Sequence, residues 1–279
     1  MKVRWLVDGV RAAAISPLDR GLLYGEGLFE TILCGEGRPT LWSEHWRRLA
    51  EGCRRLGIAL PAESLLRSEI ACVAEGLPRA IVRITLCGGV AAERGYGARA
   101  ETPTRIVCAW PAEPADPGPY RSGVRVRFCR LRLADRPELA GIKHLNRLEQ
   151  VLARREWRDP RIAEGLLFDS SGALVAATAA NVFIVEDGRL LTPALHRCGV
   201  AGTVRAFLIR HLPVEVARIP RERLLAAEEI FLSNAVQGIV PVCAVGRKRF
   251  RVGPCTRAAM RLLQAAEPLL QPRTDEGED

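Results

Sequence analysis

A proline-rich segment is the feature that most constrains the architecture of this chain. Residues 111–119 read Pro-Ala-Glu-Pro-Ala-Asp-Pro-Gly-Pro. Prolines at this density exclude a helix interior and a central strand, because proline has no amide donor and its φ angle is fixed. We interpret the segment as a linker between two domains, a smaller one over residues 1–115 and a larger one over residues 120–279. A chain of 279 residues is long enough for two such domains.

The hydrophobic patterns on both sides of this linker mix strands with helices. Residues 80–87 are predicted to form a strand, whereas apolar residues recur at helical spacing over residues 44–57. Beyond the linker, residues 123–131 alternate apolar residues with arginines, as a half-buried strand does. Residues 143–157 have leucines at helical spacing and are predicted to form a helix. The fold class is therefore α/β (α+β).

Composition narrows the functional classes. Hydrophobic residues make up 48% and charged residues 26% of the chain, which is typical of a globular protein. No apolar run is long enough to span a bilayer and the N-terminus does not resemble a signal peptide, so we expect a cytoplasmic protein. The net charge of +9 comes without a nucleic-acid-binding motif and favours anionic small molecules as partners. The Cys and His residues lack the spacing of a metal site.

Lysine is scarce in this otherwise basic chain. The 41 basic residues include only Lys2, Lys143 and Lys248 as lysines. Arginine stays protonated and does not form a Schiff base, whereas lysine does. Lys2 is near a terminus and Lys248 lies in the charged run 247–249, while Lys143 adjoins apolar sequence. Lys143 is therefore the candidate for covalent amine chemistry.

The segment around Lys143 resembles a known family. Residues 141–150 read Gly-Ile-Lys-His-Leu-Asn-Arg-Leu-Glu-Gln, which is similar to the active-site lysine segment of fold-type IV pyridoxal-phosphate (PLP) enzymes, in the version typical of aminodeoxychorismate lyases. Residues 19–31 and the His-x-x-Arg-Leu string over residues 45–49 extend the resemblance in the same order along the chain. The resemblance implies a two-domain fold like that of D-amino-acid aminotransferases, PLP in the cleft between the domains, Lys143 as its Schiff-base lysine, and a homodimer.

The resemblance also implies a phosphate site. By the family pattern Arg48 binds the cofactor phosphate, and the turn that leads into a helix at Thr203 and Val204 presents free amide groups to it. Residues 233–235, Ser-Asn-Ala, are similar to the second phosphate turn of the family, with Asn234 at the hydroxyl or amide position. For Arg48 alone, a solvated helix arginine is the simpler interpretation; the combination of an arginine, a helix terminus and a turn favours the phosphate.

Substrate-side residues follow from the same resemblance. Residues 94–97, Arg-Gly-Tyr-Gly, match a loop of the lyases, so Arg94 and Tyr96 are predicted to meet the substrate, with Arg94 on a carboxylate. Tyr24, within the N-terminal string, is predicted to join them. A plain surface turn is an equally simple interpretation of residues 94–97.

One position departs from the family pattern. The family carries a Glu five residues before the Asn that corresponds to Asn181, and here that position is Ala176. The Glu protonates the pyridine nitrogen of PLP and strengthens the electron sink. The resemblance implies conversion of 4-amino-4-deoxychorismate to 4-aminobenzoate and pyruvate, with Lys143 as general base. The alternatives are a D-amino-acid or branched-chain aminotransferase of the same fold, and a PLP-binding relative with little activity because of Ala176.

Overall fold

The computed structural model describes residues 3–11 and 14–272. The chain divides into two compact units, one of Met1–Pro114 with Ile142–Asn146 and the other of Ala115–Gly141 with Arg147–Asp279. The boundary between Pro114 and Ala115 lies within the proline-rich segment that was interpreted as a linker. The sequence analysis assigned Lys143 to the C-terminal domain; its segment belongs instead to the first unit, because its backbone is hydrogen-bonded to a strand of that unit.

An antiparallel sheet of six strands forms the centre of the first unit, in the order β2-β1-β6-β5-β3-β4. The strands are β1 (Arg4–Val7), β2 (Val10–Arg11), β3 (Gly27–Gly35), β4 (Arg38–Pro39), β5 (Arg79–Cys87) and β6 (Thr104–Pro111). The helices are α1 (Arg20–Tyr24), α2 (Trp42–Leu56) and α3 (Glu63–Ala74). The predicted helix over residues 44–57 is confirmed, and Gly57 follows it with a left-handed φ of 67°.

Buried and partly buried residues alternate along β5, so the two faces of the first sheet differ in burial. The buried residues of one face are Ala80, Val82, Ile84 and Leu86. The residues between them, Arg83 included, are only partly buried and point to the opposite face. The helix α2 packs on the buried face so closely that a Cβ atom on Gly52 would lie 2.7 Å from the Leu28 side chain. Side chains of β3 therefore alternate between α2 and the face that carries Arg83.

The second unit contains a mixed sheet of nine strands, in the order β12-β11-β10-β13-β14-β7-β8-β9, with β15 paired to β14. The strands are β7 (Val124–Leu133), β8 (Ile162–Asp169), β9 (Leu174–Ala177), β10 (Asn181–Glu186), β11 (Arg189–Pro193), β12 (Val214–Ala217), β13 (Glu229–Asn234), β14 (Gly238–Val245) and β15 (Lys248–Arg249). The helices are α4 (Gly118–Ser122), α5 (Leu148–Arg154), α6 (Thr203–His211), α7 (Arg221–Ala226) and α8 (Pro254–Ala266). The sequence Asp187-Gly188 is typical of a two-residue hairpin turn and predicts one here. The structure confirms this turn between β10 and β11, and both residues have positive φ angles.

The segment predicted as a helix over residues 143–157 is the main difference from the sequence analysis. Helix α5 begins only at Leu148, and residues 142–146 are non-helical, with an antiparallel bridge between His144 and Leu28 of β3. Leu148, expected on a buried helix face, is 67% exposed. Hydrogen bonds to β3 decide the conformation here, because tertiary pairing outweighs a local helical preference of a few tenths of a kcal/mol per residue.

The proline-rich segment also contains more structure than a linker needs. Helix α4 begins within it, with a proline at its first turn, where the missing amide donor costs nothing. The acidic composition at the end of the chain predicts a disordered tail, and residues 273–279 lie outside the described residues. In the ranges that the structure describes, no helix combines the length and apolar character that crossing a membrane requires.

Candidate active site

Lys143 lies in residues 142–146, beside the N-terminal end of β3. The amide of Phe29 donates to the Lys143 carbonyl oxygen at 2.9 Å, and the amide of Leu145 donates to the Gly27 carbonyl oxygen at 2.9 Å. Gly27 is required here, since a Cβ atom on it would collide with the Leu86 carbonyl oxygen of β5 and lie 2.6 Å from the Leu145 side chain. This glycine of the N-terminal string therefore makes room for β5 and for the lysine segment.

Two cations lie on the ring of Phe29. The Lys143 Nζ atom is 4.4 Å from the ring centroid and the Arg83 guanidinium carbon is 3.9 Å from it. Burial lowers the pKa of Arg83, and its Nε atom donates to the Thr85 hydroxyl at 3.2 Å. Across the described residues, no carboxylate forms an ion pair or hydrogen bond with Arg83. We call Phe29, Arg83 and Lys143 the lysine face.

Arg83 was not among the residues predicted from the sequence. The available signal was a charged residue inside the otherwise apolar strand at residues 80–87. A half-buried arginine without an acidic partner is costly unless an anion completes it. The lysine face thus combines an amine, an aromatic surface and a cation suited to a carboxylate.

Arg48, predicted as a phosphate ligand, lies on α2 and is bound to Glu30. Its Nε atom donates to Glu30 Oε1 at 2.9 Å, and its Nη2 atom donates to Oε2. The Nδ1 atom of His45 is 2.5 Å from the same Oε2 atom. Glu30 and His45 are both buried. We call Glu30, His45 and Arg48 the Glu30 cluster, which joins β3 to α2. Lys143 lowers the pKa of His45, so the cluster lies within electrostatic range of the lysine, and the contact of Arg48 with a phosphate stays a prediction.

Thr203 and Val204 begin helix α6 of the second unit, as predicted. No side chain caps this terminus; the residue before it, Gly202, has its amide bound to Asn181 Oδ1 at 3.0 Å. A Cβ atom on Gly202 would collide with that oxygen. The Thr203 Oγ1 atom is buried and has no hydrogen-bond partner in residues 3–11 and 14–272. Unpaired amides and a buried hydroxyl at a helix N-terminus favour an anion.

A second buried hydroxyl belongs to Ser233, which the sequence analysis quoted but did not select. Ser233 pairs with Asn181 across β13 and β10, so Asn181 connects it to Gly202. The Ser233 Oγ atom is also buried without a hydrogen-bond partner in the part of the chain that the structure describes. We call Gly202, Thr203, Val204 and Ser233 the anion turn. Buried hydroxyls are normally hydrogen-bonded, so two unpartnered ones on adjoining elements indicate a ligand.

Asn234, selected as a phosphate residue, uses its side chain within its own turn. Its Oδ1 atom accepts from the amides of Val236 at 3.0 Å and Gln237 at 2.8 Å. Its Nδ2 atom donates to the Gln237 side chain at 3.0 Å. Asn234 thus shapes the turn that follows Ser233, and its contact with a phosphate stays a prediction.

Ala176 lies on β9 in an apolar cluster that includes Trp157 and Leu167. The β8–β9 pairing also places Glu164 beside Thr178, and the Thr178 hydroxyl donates to the Glu164 carboxylate. Burial raises the pKa of Glu164, although three backbone amides also donate to it. The hydrogen-bond acceptors of Glu164 are thus engaged by the Thr178 hydroxyl and by amides of its own strand and of the turn after β9.

Two of the three predicted substrate-side residues, Tyr24 and Tyr96, lie together. The rings of Tyr24 and Tyr96 have centroids 5.2 Å apart. Arg20 holds the loop near them, donating to the carbonyl oxygens of Gly95 at 2.9 Å and Tyr96 at 3.3 Å. Arg94 and Tyr96 are exposed. The structure thus brings the two tyrosines together and leaves the role of Arg94 as a prediction.

The family model and the similar proteins agree on one family for this chain. The family described as amino-transferase class IV matches residues 27–245. The crystal structure of 4-amino-4-deoxychorismate lyase from Pseudomonas aeruginosa is 41% identical, covers 94% of this chain and 98% of its own, and superposes with a TM-score of 0.87. Aminodeoxychorismate lyase from Vibrio harveyi is 29% identical over 270 residues, 90% of this chain and 96% of the relative.

An aminotransferase is also similar to this chain. A putative branched-chain-amino-acid aminotransferase from Methanocaldococcus jannaschii is 30% identical over 242 residues, which is 82% of each chain. Similarity to both lyases and an aminotransferase agrees with the resemblance that the lysine segment indicated, and it leaves the reaction to be argued from the site.

Proposed function

The chain belongs to the amino-transferase class IV family, and from this we propose that it is a PLP-dependent lyase that converts 4-amino-4-deoxychorismate into 4-aminobenzoate and pyruvate. The observation that carries the proposal is the lysine face, where Lys143 Nζ and the Arg83 guanidinium lie 4.4 Å and 3.9 Å from one aromatic ring centroid. An amine able to bind the cofactor aldehyde lies on the same ring as a cation able to bind a substrate carboxylate.

Each unit, taken by itself, supplies residues that suit a polar group of PLP. The anion turn supplies a helix N-terminus and two unpartnered buried hydroxyls, which suit a phosphate. Lys143 supplies the amine for the aldehyde carbon. The position of Ala176 supplies no acid for the pyridine nitrogen. When bound, PLP withdraws electrons from the substrate carbon that bears the amine.

Each residue of the lysine face has a distinct part in this reaction. Lys143 would remove the proton from the amine-bearing ring carbon of the substrate, acting as the general base. Arg83 binds one of the two substrate carboxylates and so orients that carbon towards Lys143. The Phe29 ring contacts both cations and gives the lysine face an apolar surface for the substrate. The enolpyruvyl group leaves as enolpyruvate, which takes up a proton and becomes pyruvate. The substrate ring becomes aromatic in the same elimination, which supplies driving force without a strong electron sink.

The test is an absorbance spectrum of the purified protein with PLP, followed by addition of aminodeoxychorismate and measurement of pyruvate. A visible band from lysine-bound cofactor together with pyruvate release supports the proposal. A band without pyruvate would exclude the lyase reaction, and no band would exclude PLP binding through Lys143. The predicted homodimer and cytoplasmic location belong to the same proposal, and sedimentation of the purified protein tests the dimer.

An aminotransferase of the same fold is the second candidate, and the similarity to the M. jannaschii protein favours it. Transamination depends more strongly on electron withdrawal by the cofactor, so Ala176 argues against it. Amino-group transfer from D-amino or branched-chain amino acids to a keto acid, without pyruvate release from aminodeoxychorismate, would select this alternative. PLP binding with neither activity would select the inert relative.

Replacing Ala176 by Glu gives a prediction about the pyridine end of the cofactor. The new carboxylate enters an apolar cluster, so the unfolding free energy of the cofactor-free variant is expected to fall by about 2–4 kcal/mol. PLP should then raise the melting temperature of A176E more than that of the wild type, because the pyridine nitrogen pairs with the carboxylate. A176Q is the uncharged control, and an equal PLP-dependent shift in A176E and A176Q would contradict the prediction.

A further inference from the structure

The Glu30 cluster contains a buried carboxylate that the proposed reaction does not use. We propose that Glu30 is a positioning residue, whose carboxylate fixes the Arg48 guanidinium in the orientation that receives the phosphate of the cofactor. The inference rests on the proposed function, since it assumes that PLP binds. It goes beyond that function because it assigns a role to a residue that touches neither cofactor nor substrate.

Glu30 restrains the Arg48 guanidinium through both of its carboxylate oxygens. The two carboxylate oxygens accept from the Nε and Nη2 atoms of Arg48, a side-on contact that fixes the plane of the guanidinium. The side chain of Glu30 is 1% exposed and that of Arg48 is 10% exposed. An arginine carries several rotatable bonds, so a second anchor removes the entropy that binding a phosphate would otherwise cost.

His45 restrains the carboxylate in turn. Its Nδ1 atom lies 2.5 Å from Glu30 Oε2, and because an ionised carboxylate only accepts, Nδ1 carries the proton. Burial lowers the pKa of His45, and Arg48 and Lys143 lower it further against the opposing effect of Glu30. His45 is therefore neutral and holds Glu30 without neutralising it.

The charge of Glu30 is stable in this environment. Burial alone would raise the pKa of Glu30, but Arg48 and His45 oppose it and bring that pKa to about 2. The carboxylate thus stays ionised at neutral pH, and the Arg48–Glu30 pair is maintained. If Glu30 only neutralised Arg48, its removal would strengthen phosphate binding; if it positions Arg48, its removal weakens phosphate binding.

A comparison of two cofactor forms separates these roles. PLP and pyridoxal both react with Lys143, but only PLP carries the phosphate. We expect Glu30→Gln to weaken PLP binding about tenfold and to leave pyridoxal binding unchanged, both measured by titration of the visible band. Arg48→Gln should weaken PLP binding by a similar or larger factor, and E30Q/R48Q should bind PLP no more weakly than R48Q alone.

A matched control comes from a second buried pair in the same unit. Arg105 donates to Glu69 through Nε at 2.7 Å and Nη2 at 2.8 Å, between α3 and β6. Glu69→Gln should lower thermal stability as Glu30→Gln does, yet leave PLP affinity unchanged. Circular dichroism of each variant verifies folding before titration, and Glu30→Asp provides a folded second variant that keeps the charge and should restore part of the PLP affinity.

Three results would overturn the inference. These are equal weakening of PLP and pyridoxal by E30Q, tighter PLP binding by E30Q, and additive losses in the double variant. Failure of the proposed function has a different signature, since the wild type would then give no visible band with PLP or with pyridoxal.

Discussion

Replacing Lys143 by Ala is expected to reduce pyruvate release from aminodeoxychorismate by on the order of 10³-fold or more, because general-base catalysis alone contributes about 10²–10⁴-fold. The variant loses both the amine that holds the cofactor and the base that removes the substrate proton. Steady-state assays with saturating PLP measure the loss, and the absorbance spectrum should show that the visible band of the lysine-bound cofactor has disappeared.

The matched control for this prediction is Lys248→Ala. Lys248 is exposed on β15 and has no place in the proposed reaction, so its replacement should leave the spectrum and the rate unchanged. Lys143→Arg keeps the positive charge but removes the Schiff-base amine, and we expect it to be as inactive as Lys143→Ala. More than a tenth of wild-type activity in K143A would refute the assignment of Lys143 as base and cofactor anchor.

Replacing Arg83 by Met is expected to raise the KM for aminodeoxychorismate by about 10- to 100-fold, since a charge-assisted contact with a carboxylate contributes about 1.5–3 kcal/mol. Met keeps the apolar contact with Phe29 but removes the cation. The visible band with PLP should be unchanged, because Arg83 is proposed to contact the substrate and not the cofactor. Initial rates over a range of substrate concentration measure KM and kcat separately.

Arg67 provides the control for Arg83. Its guanidinium lies 5.0 Å from the centroid of the Trp42 ring on an exposed helix surface, so Arg67→Met removes a comparable cation–π contact outside the lysine face. We expect R67M to have wild-type KM. Arg83→Lys, which retains charge without the planar fork, should fall between the wild type and R83M. A KM in R83M equal to that of R67M would rule out Arg83 as the carboxylate-binding residue.

Much of the local structure could be predicted because its signals are local. Helical spacing over residues 44–57 and the strand pattern over residues 80–87 correspond to α2 and β5, since each pattern reports which side of one element is buried. The Asp187-Gly188 turn was predictable because its backbone needs two positive φ angles. The family could be inferred because residues 19–31, 45–49 and 141–150 each resemble a family motif and follow one another in the order of the family.

The candidate site was less predictable, because its contacts join distant parts of the chain. Lys143 comes next to Phe29 through pairing across more than 100 residues, and that pairing replaces the helix predicted there. Ser233 is connected to Gly202 through Asn181. No local pattern reports these contacts between distant residues.

The sequence by itself determined the α/β class, the scarcity of lysine, the family and the departure at Ala176, because these depend on residue identity and short-range spacing. Only the tertiary structure decided that Arg83 shares the Phe29 ring with Lys143 and that Glu30 restrains Arg48. The physical reason is that partial burial of the Arg83 charge and bidentate pairing of Arg48 arise when separate strands and helices pack, and their energies depend on distances that sequence spacing does not contain.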